Sequence, residues 1–108
     1  MKGFPMVSVV MPNYNNELFL EEAINSILTQ TFTDYEFLII DDGSTDNSIE
    51  IIKSYADKRI RLICKKENSG IVDALNIGLD EALGIYMIRM DGDDISLPGR
   101  FEALVDYL

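Results

Sequence analysis

The sequence contains no histidine and only one cysteine, and each scarcity excludes a class of chemistry. Without histidine, a Ser-His-Asp type of catalytic triad and a His-ligated zinc site are excluded. A single cysteine cannot form an internal disulfide, and Cys64 ends an apolar, strand-like run. We therefore expect Cys64 to be a buried core residue of a protein from a reducing compartment.

Basic residues are also scarce, at 9 against 19 acidic residues, which gives a formal net charge of -10. Such a surface argues against a general nucleic-acid binder, because phosphate backbones require a basic surface. The negative charge does not exclude a nucleotide ligand whose phosphates bind a metal ion. No apolar run approaches the length of a membrane span, and residues 1–5 lack the apolar core of a signal peptide. We expect a cytoplasmic protein.

What is present is an alternation of strand and helix patterns in a chain of 108 residues, enough for one domain. Apolar, β-branched runs predict strands near 6–11, 35–40, 60–64 and 85–90. Apolar residues at helical spacing predict helices between them and after the last. Alternation of this kind predicts an α/β fold, with a mostly parallel sheet of about four strands and helices on both faces.

Several finer expectations follow from local patterns. Pro12 should end the first strand, because it cannot donate to a ladder. The third strand alternates and should lie near an edge, whereas the more apolar fourth should be covered on both faces. Gly84 should stop the third helix. Polar residues at loop ends are interpreted as helix caps, namely Asn15 or Asn16, Ser44, Asp46, and Asn68 or Ser69. Core aromatic residues are expected at Tyr35, Phe37 and Tyr86, and a solvated loop at Lys65 and Lys66.

An acidic cluster, Asp91-Gly92-Asp93-Asp94, follows the fourth apolar run directly. Three like charges so close together raise their energy unless a cation or protonation relieves it. A divalent metal would do so, with Gly92 letting the backbone turn so that both flanking carboxylates face the ion. The plainer alternative is a solvated acidic turn.

Other ligand-binding α/β proteins fit less well. A dinucleotide-binding fold requires a glycine-rich turn after the first strand, but residues 12–16 contain no glycine. A P-loop ending in Lys-Ser or Lys-Thr is absent. A receiver-like regulatory domain carries an acid pair after its first strand, whereas Asp41 and Asp42 follow the second. Three loops remain at one edge of the predicted sheet: residues 12–16, the acid pair Asp41 and Asp42, and the acidic cluster. The first two are suited to hydrogen-bond a base and a ribose, and the third is suited to hold a metal that binds phosphates.

Three segments together resemble the signature of family-2 inverting glycosyltransferases of the GT-A fold. They are residues 7–15 (VSVVMPNYN), 39–46 (IIDDGSTD) and 90–94 (MDGDD). The connecting segments 28–32 (LTQTF) and 68–70 (NSG) resemble the family as well. The resemblance implies a Rossmann-like GT-A half-domain over residues 1–108, namely the N-terminal, nucleotide-sugar-binding portion of a longer protein.

The resemblance also implies roles for individual residues. Pro12 and Tyr14 match the turn that lies against the nucleotide base, and Asp42 matches the aspartate that binds the uracil ring. Asp91 and Asp93 match the DXD motif, with Asp91 towards the ribose and Asp93 towards a Mg²⁺ or Mn²⁺ ion.

Two neighbouring positions have less specific matches. Asp94 would assist the metal site indirectly. Arg100 matches a basic position after the DXD loop, with a salt bridge to that loop as the plainer alternative.

The implied reaction is transfer of a sugar, a hexose in most of this class, from a nucleotide-diphosphate donor such as a UDP-sugar, with inversion. The acceptor would be a saccharide or a lipid-linked hydroxyl, at the inner face of the membrane if the full-length protein is attached there. The family's general base lies further along the chain, so we assign no catalytic residue here. We expect the isolated chain to be inactive and to self-associate through its fourth strand or last helix. A catalytically silent donor-binding module is the alternative.

Overall fold

The computed structural model describes residues 4–92 and 95–107. Strands and helices alternate in the order β1 (Val7–Asn13), α1 (Glu17–Leu28), β2 (Tyr35–Asp41), α2 (Ser48–Lys53), β3 (Ile60–Cys64), α3 (Ile71–Glu81), β4 (Tyr86–Arg89) and α4 (Arg100–Tyr107). The four strands form one parallel sheet in the order β3-β2-β1-β4. The predicted α/β class, parallel sheet and strand number are confirmed.

The connections explain which face each helix covers. The chain steps from β1 to β2 to β3 in one direction and then crosses back to place β4 on the other side of β1. Because crossovers between parallel strands are right-handed, reversing direction moves the crossover helix to the opposite face. Accordingly α1 and α2 pack on one face with Phe101 of α4, and α3 packs on the other.

The two cores differ in size. The larger one joins odd-numbered side chains of β1 and β2 to the apolar stripe of α1, and includes Phe37 and Tyr35 as predicted. The smaller one joins Val10, Leu38, Ile40 and Ala74. Gly78 lets α3 approach β1 closely, since a Cβ there would lie 2.4 Å from Val10 Cγ1. The central strands β1 and β2 are buried along their whole length.

The outer strands are more exposed than the central ones. β3 lies at an edge, as predicted, and Cys64 at its end is exposed, so the expectation of a core cysteine is wrong. β4 lies at the opposite edge, and the expected cover on both faces is not provided by the described residues. Tyr86 is 38% exposed, so the prediction of a core tyrosine is wrong. Among the described residues β4 has one strand neighbour, β1, which agrees with the absence of a later strand pattern in the sequence.

β1 continues through Pro12 to Asn13, two residues past the predicted strand end at Met11. The amide of Met90 donates to the carbonyl of Val10. The backbone N–H and C=O groups of even-numbered residues in β1 therefore point towards β4. Pro12 therefore turns its missing N–H towards the side where the β4 ladder has already ended. A proline is tolerated there because no ladder hydrogen bond is lost.

Helix ends also differ from the local expectations. α3 ends at Glu81, and Gly84 serves a close approach instead, because a Cβ there would lie 2.6 Å from the amide nitrogen of Ser8. The N-cap of α3 is Gly70 at φ +103°, not Asn68 or Ser69. No helix within the described ranges is long and apolar enough to cross a membrane.

Candidate functional site

A cleft of about 180 Å³ lies at the carboxyl ends of β1, β2 and β4. Open parallel sheets bind ligands outside these ends at the point where the strand order reverses, which here is between β1 and β4. The cleft is lined by four residues singled out in the sequence: Pro12, Tyr14, Asp42 and Asp91. It is also lined by five that were not assigned as ligand contacts: Asn13, Asn16, Ile71, Ala74 and Gly92.

The turn after β1 is held by the side chain of Asn15, which adopts a left-handed φ of +51°. The side-chain Oδ1 of Asn15 accepts from the backbone amide of Thr45 at 2.8 Å, and the backbone amide of Asn15 donates to Ser44 Oγ at 3.0 Å. These bonds tie the β1–α1 turn to the β2–α2 loop. Tyr14 remains 42% exposed at the rim of the cleft.

The two acids after β2 have different environments. Asp41 is fully buried and accepts from the amide of Ser44 at 2.8 Å, from its hydroxyl at 2.7 Å and from Asn13 Nδ2 at 3.1 Å. Asp41 therefore stabilises the loop, and Ser44 serves this loop rather than capping a helix. Asp42, by contrast, lines the cleft.

Asp42 is held by a lysine and by the start of α3. Its Oδ1 accepts from Lys65 Nζ at 2.6 Å and from the amide of Ser69 at 3.1 Å, and its Oδ2 accepts from the amide of Gly70 at 3.0 Å. Burial favours the neutral acid, but these hydrogen bonds and the lysine charge outweigh it and hold the pKa of Asp42 below its ordinary value of 3.8. The carboxylate is therefore a fixed, ionised acceptor at the cleft.

Lys65 was expected in a solvated loop, and that expectation is wrong. Its side chain is only 10% exposed and also pairs with Asp73 Oδ2 at 2.7 Å. Burial lowers its pKa, but hydrogen bonds to Asp42 and Asp73 prevail and raise it. The sequence contained an indication of this contact, because Lys65 directly follows β3, just as the acid pair lies at the end of β2. Only the β2–β3 pairing, which sets Asp41 opposite Cys64, makes that proximity certain.

Asp46 caps two helices at once. Its Oδ1 accepts from the amide of Ser48 at the start of α2, and its Oδ2 accepts from the amide of Glu17 at the start of α1. Burial opposes ionisation, yet the hydrogen bonds lower the pKa of Asp46. The prediction of a cap is confirmed for Asp46, whereas Asn16 occupies the α1 N-cap without a side-chain cap hydrogen bond.

The segment after β4 forms the opposite side of the cleft. Asp91 Oδ1 accepts from Arg89 Nη2 at 3.2 Å in a pair that is nearly half exposed. Met90 is buried, and its Sδ is contacted by Arg100 Nη1 at 2.8 Å. Arg100 also donates to Ser96 Oγ at 3.2 Å, which anchors α4 to this segment.

Asn13 and Gly92 both line the cleft and are closely packed against each other. Since a carboxylate only accepts, Asn13 Nδ2 must face Asp41, and Oδ1 is left buried with no hydrogen-bond partner among the described residues. A Cβ at position 92 would lie 2.5 Å from that oxygen. Gly92 lies in a turn but is not among the glycines at positive φ, so the requirement for glycine comes from this close packing. That both flanking carboxylates face a metal stays a prediction, because Asp93 lies outside the described residues.

Asp93 and Asp94 lie outside the described residues, so their predicted roles stay predictions. Within the described ranges, no group of three or more acidic or cysteine side chains could hold a metal ion. The chemistry of the donors nevertheless fits Mg²⁺ or Mn²⁺, because such ions take one or two carboxylates and complete their shell with phosphate oxygens and water. Asp91 lines the cleft where a diphosphate would supply those oxygens.

Solved structures with the same fold include nucleotide complexes. TarS 1–349 of S. aureus in complex with UDP-GlcNAc superposes with a TM-score of 0.89 at 28% identity, over 94% of this chain and 30% of that one. The mannosyltransferase PcManGT of Pyrobaculum calidifontis, in complex with GDP-Man and Mn²⁺, gives a TM-score of 0.78 at 28% identity, over 85% of this chain and 28% of that one.

Sequence relatives are glycosyltransferases by name. An uncharacterized glycosyltransferase of Haemophilus influenzae is 44% identical over 110 residues, which cover 100% of this chain and 34% of that protein. The putative glycosyltransferase EpsE of Bacillus subtilis is 44% identical over 111 residues, covering 100% and 40%. This chain thus spans well under half the length of these curated relatives. The family model described as glycosyl transferase family 2 matches residues 8–108. The chain belongs to glycosyl transferase family 2.

Proposed function

We propose that this chain is the donor-binding part of a glycosyltransferase that takes a UDP-sugar. The observation that carries the proposal is that one cleft, at the point where strand order reverses, brings together Pro12, Tyr14, Asp42 and Asp91 from three segments. The UDP-GlcNAc complex of the similar TarS chain supports a uridine donor.

Each residue has a role suited to its chemistry. Tyr14 and Pro12 lie against the base at the rim, and the Asp42 carboxylate accepts a hydrogen bond from the ring N–H of uracil. A carboxylate only accepts, so it disfavours a base that offers an acceptor at the same place. Asp91 accepts from a ribose hydroxyl.

The diphosphate is proposed to be bound with a divalent ion, Mg²⁺ or Mn²⁺, held by Asp93 of the DXD motif. When bound, such an ion neutralises the charge that develops on the leaving diphosphate. The Mn²⁺ complex of PcManGT supports this choice of ion. Asp91, paired with the exposed Arg89, is near enough in sequence to act beside Asp93.

The reaction is a single displacement with inversion. A hydroxyl of a saccharide or lipid-linked acceptor forms a new bond to the anomeric carbon while the bond to the diphosphate breaks on the opposite face. A general base takes the hydroxyl proton. We assign that base to no residue here: Glu102 lies on α4 and accepts from Thr31 Oγ1 at 2.7 Å, and Asp106 lies on the same helix.

The proposal is tested by calorimetric titration with UDP, with and without Mn²⁺, of the unaltered chain, Asp93→Asn and Asp80→Asn. Asp80 is an exposed acid of α3 and serves as the matched control. We expect Mn²⁺ to strengthen UDP binding about tenfold or more, or about 1.4 kcal/mol, in the unaltered chain and the control. Asp93→Asn should lose that increment and keep its unfolding temperature.

Two results would contradict the proposal. No UDP binding under either condition would exclude the uridine donor, and equal Mn²⁺ dependence in all three proteins would remove Asp93 from the metal site. Transfer assays on a longer protein that includes a downstream base separate an enzyme from a silent donor-binding module.

A further inference from the structure

Lys65 is a nearly buried cation next to the cleft, and its ammonium is fully used. Its three N–H groups have three acceptors: Asp42 Oδ1 at 2.6 Å, Asp73 Oδ2 at 2.7 Å, and Ser69 Oγ. An ammonium has three donors and no acceptor. The usual role of a lysine near a nucleotide, binding phosphate, would therefore require Lys65 to give up one of these partners.

The hydrogen bonds of Asp42 to other described residues leave one lone pair of its carboxylate unused. Oδ1 accepts from Lys65 and from the amide of Ser69, which occupies both of its lone pairs. Oδ2 accepts from the amide of Gly70 alone, which leaves one lone pair on that oxygen. Asp42 lines the cleft, and this lone pair is the acceptor that its described hydrogen bonds leave available for a ligand.

We propose that Lys65 is a positioning residue for base recognition: it binds Asp42 Oδ1 so that Oδ2 is presented as the acceptor for the ring N–H of uracil. This inference rests on the proposed function and adds a residue that determines specificity. Cytosine is nearly the same size as uracil but carries an acceptor nitrogen at that ring position, so it would meet the carboxylate acceptor to acceptor.

The surroundings show why a cation is needed. The Asp42 side chain is 6% exposed, and a buried carboxylate without a charged partner tends to protonate or turn to solvent. The amides of Ser69 and Gly70 come from a loop whose own position is held by Lys65 through Ser69. Removing the ammonium therefore leaves the Asp42 carboxylate without its charged partner and frees the loop that orients it.

The test compares UDP and CDP dissociation constants, with Mn²⁺ present, for the unaltered chain, Lys65→Met and Lys66→Met. Lys66 is the adjacent, exposed lysine and provides the matched control. We expect the unaltered chain and Lys66→Met to prefer UDP by roughly tenfold or more, because unpaired buried acceptors discriminate strongly. Lys65→Met should lower that preference to about threefold or less. Most of this change should come from weaker UDP binding rather than from tighter CDP binding.

A double-mutant cycle with Asp42→Asn distinguishes positioning from a general effect on the fold. If Lys65 acts through Asp42, adding Lys65→Met to Asp42→Asn should change the UDP preference little. The same fold-loss in both backgrounds would overturn the inference. Lys65→Gln, a polar side chain one bond shorter, should show the same loss and replaces Lys65→Met if that variant fails to fold.

The outcomes separate the two proposals. Absence of uridine nucleotide binding by the unaltered chain overturns both. Tight UDP binding with an undiminished preference in Lys65→Met and Lys65→Gln overturns only the role of Lys65. Binding without any preference for UDP over CDP in the unaltered chain also overturns it and leaves donor binding intact.

Discussion

The two sides of the cleft are built differently. We call Asp42, Lys65, Ser69 and Gly70 the β2–α3 wall, and Arg89, Asp91 and Gly92 the β4 wall. In the first, the ion pair between Lys65 and Asp42 measures 2.6 Å, with side chains 10% and 6% exposed. In the second, the pair between Arg89 and Asp91 measures 3.2 Å, with side chains 48% and 42% exposed.

This difference in burial separates two tasks. A buried, hydrogen-bonded charge keeps one direction, because every alternative leaves a partner unpaired. An exposed pair contributes only about 0–1 kcal/mol and can exchange its partner for a ligand at little cost. The β2–α3 wall is thus suited to select a base, and the β4 wall to accept a charged diphosphate with its metal. The following predictions test that contrast, from the largest expected effect to the smallest.

Gly43→Ala should break the β2–α3 wall most severely. Gly43 has φ +78°, and a Cβ there would lie 2.7 Å from the amide nitrogen of Asn68. The left-handed backbone costs about 1–2 kcal/mol for alanine, and the overpacking about 1–3 kcal/mol more. We expect urea unfolding to show a loss of about 2–5 kcal/mol. Gly99→Ala is the control, since a Cβ there meets nothing within 4 Å, and an equal loss in both would refute this explanation.

Asp42→Ala should weaken UDP binding by about 1–3 kcal/mol and remove the preference for uracil, because a charge-assisted hydrogen bond is lost. Calorimetry with UDP and CDP measures both quantities. Asp34→Ala, which removes an exposed acid before β2, should leave them unchanged. If Asp42→Ala lowered UDP and CDP affinity equally, the base would be read elsewhere.

Acid should destabilise the β2–α3 wall through Asp42, whose folded pKa is lowered from 3.8. A depressed carboxyl pKa contributes stability that is present above the unfolded value and is lost as pH falls through the folded value. The free energy of unfolding should therefore decrease below about pH 4, by at most about 1.4 kcal/mol per pH unit from this group. Asp42→Asn should show a shallower decrease, and an identical acid profile would contradict the assignment.

Asp91→Asn should affect the β4 wall without affecting the fold. Its ion pair is exposed, so we expect the free energy of unfolding to change by no more than about 0.5 kcal/mol. UDP binding should weaken by about 0.5–1.5 kcal/mol, the usual contribution of one hydrogen bond. Thermal unfolding and calorimetry on the same sample measure the pair of effects. A large loss of stability would show that this wall is as integrated as the other.

Much of the fold was predictable because strands and helices depend on local patterns. The apolar runs at 35–40 and 60–64 locate β2 and β3 well, and the motif order brings Pro12, Tyr14, Asp42 and Asp91 to one edge. Parallel strands connected by helices must end on the same side of the sheet, so the common location of these loops follows from the alternation alone.

The sequence by itself determined the strand–helix alternation, the acidic loops and the family. Tertiary structure decided the environment of each side chain. Tyr86 and Cys64 are exposed because β4 and β3 lie at the edges, and Pro12 fits because the β4 ladder ends beside it. Lys65 is nearly buried because β3 pairs with β2, which brings its ammonium to Asp42. Burial and charge pairing depend on neighbours that are distant in sequence, and local periodicity carries no information about which strands become neighbours.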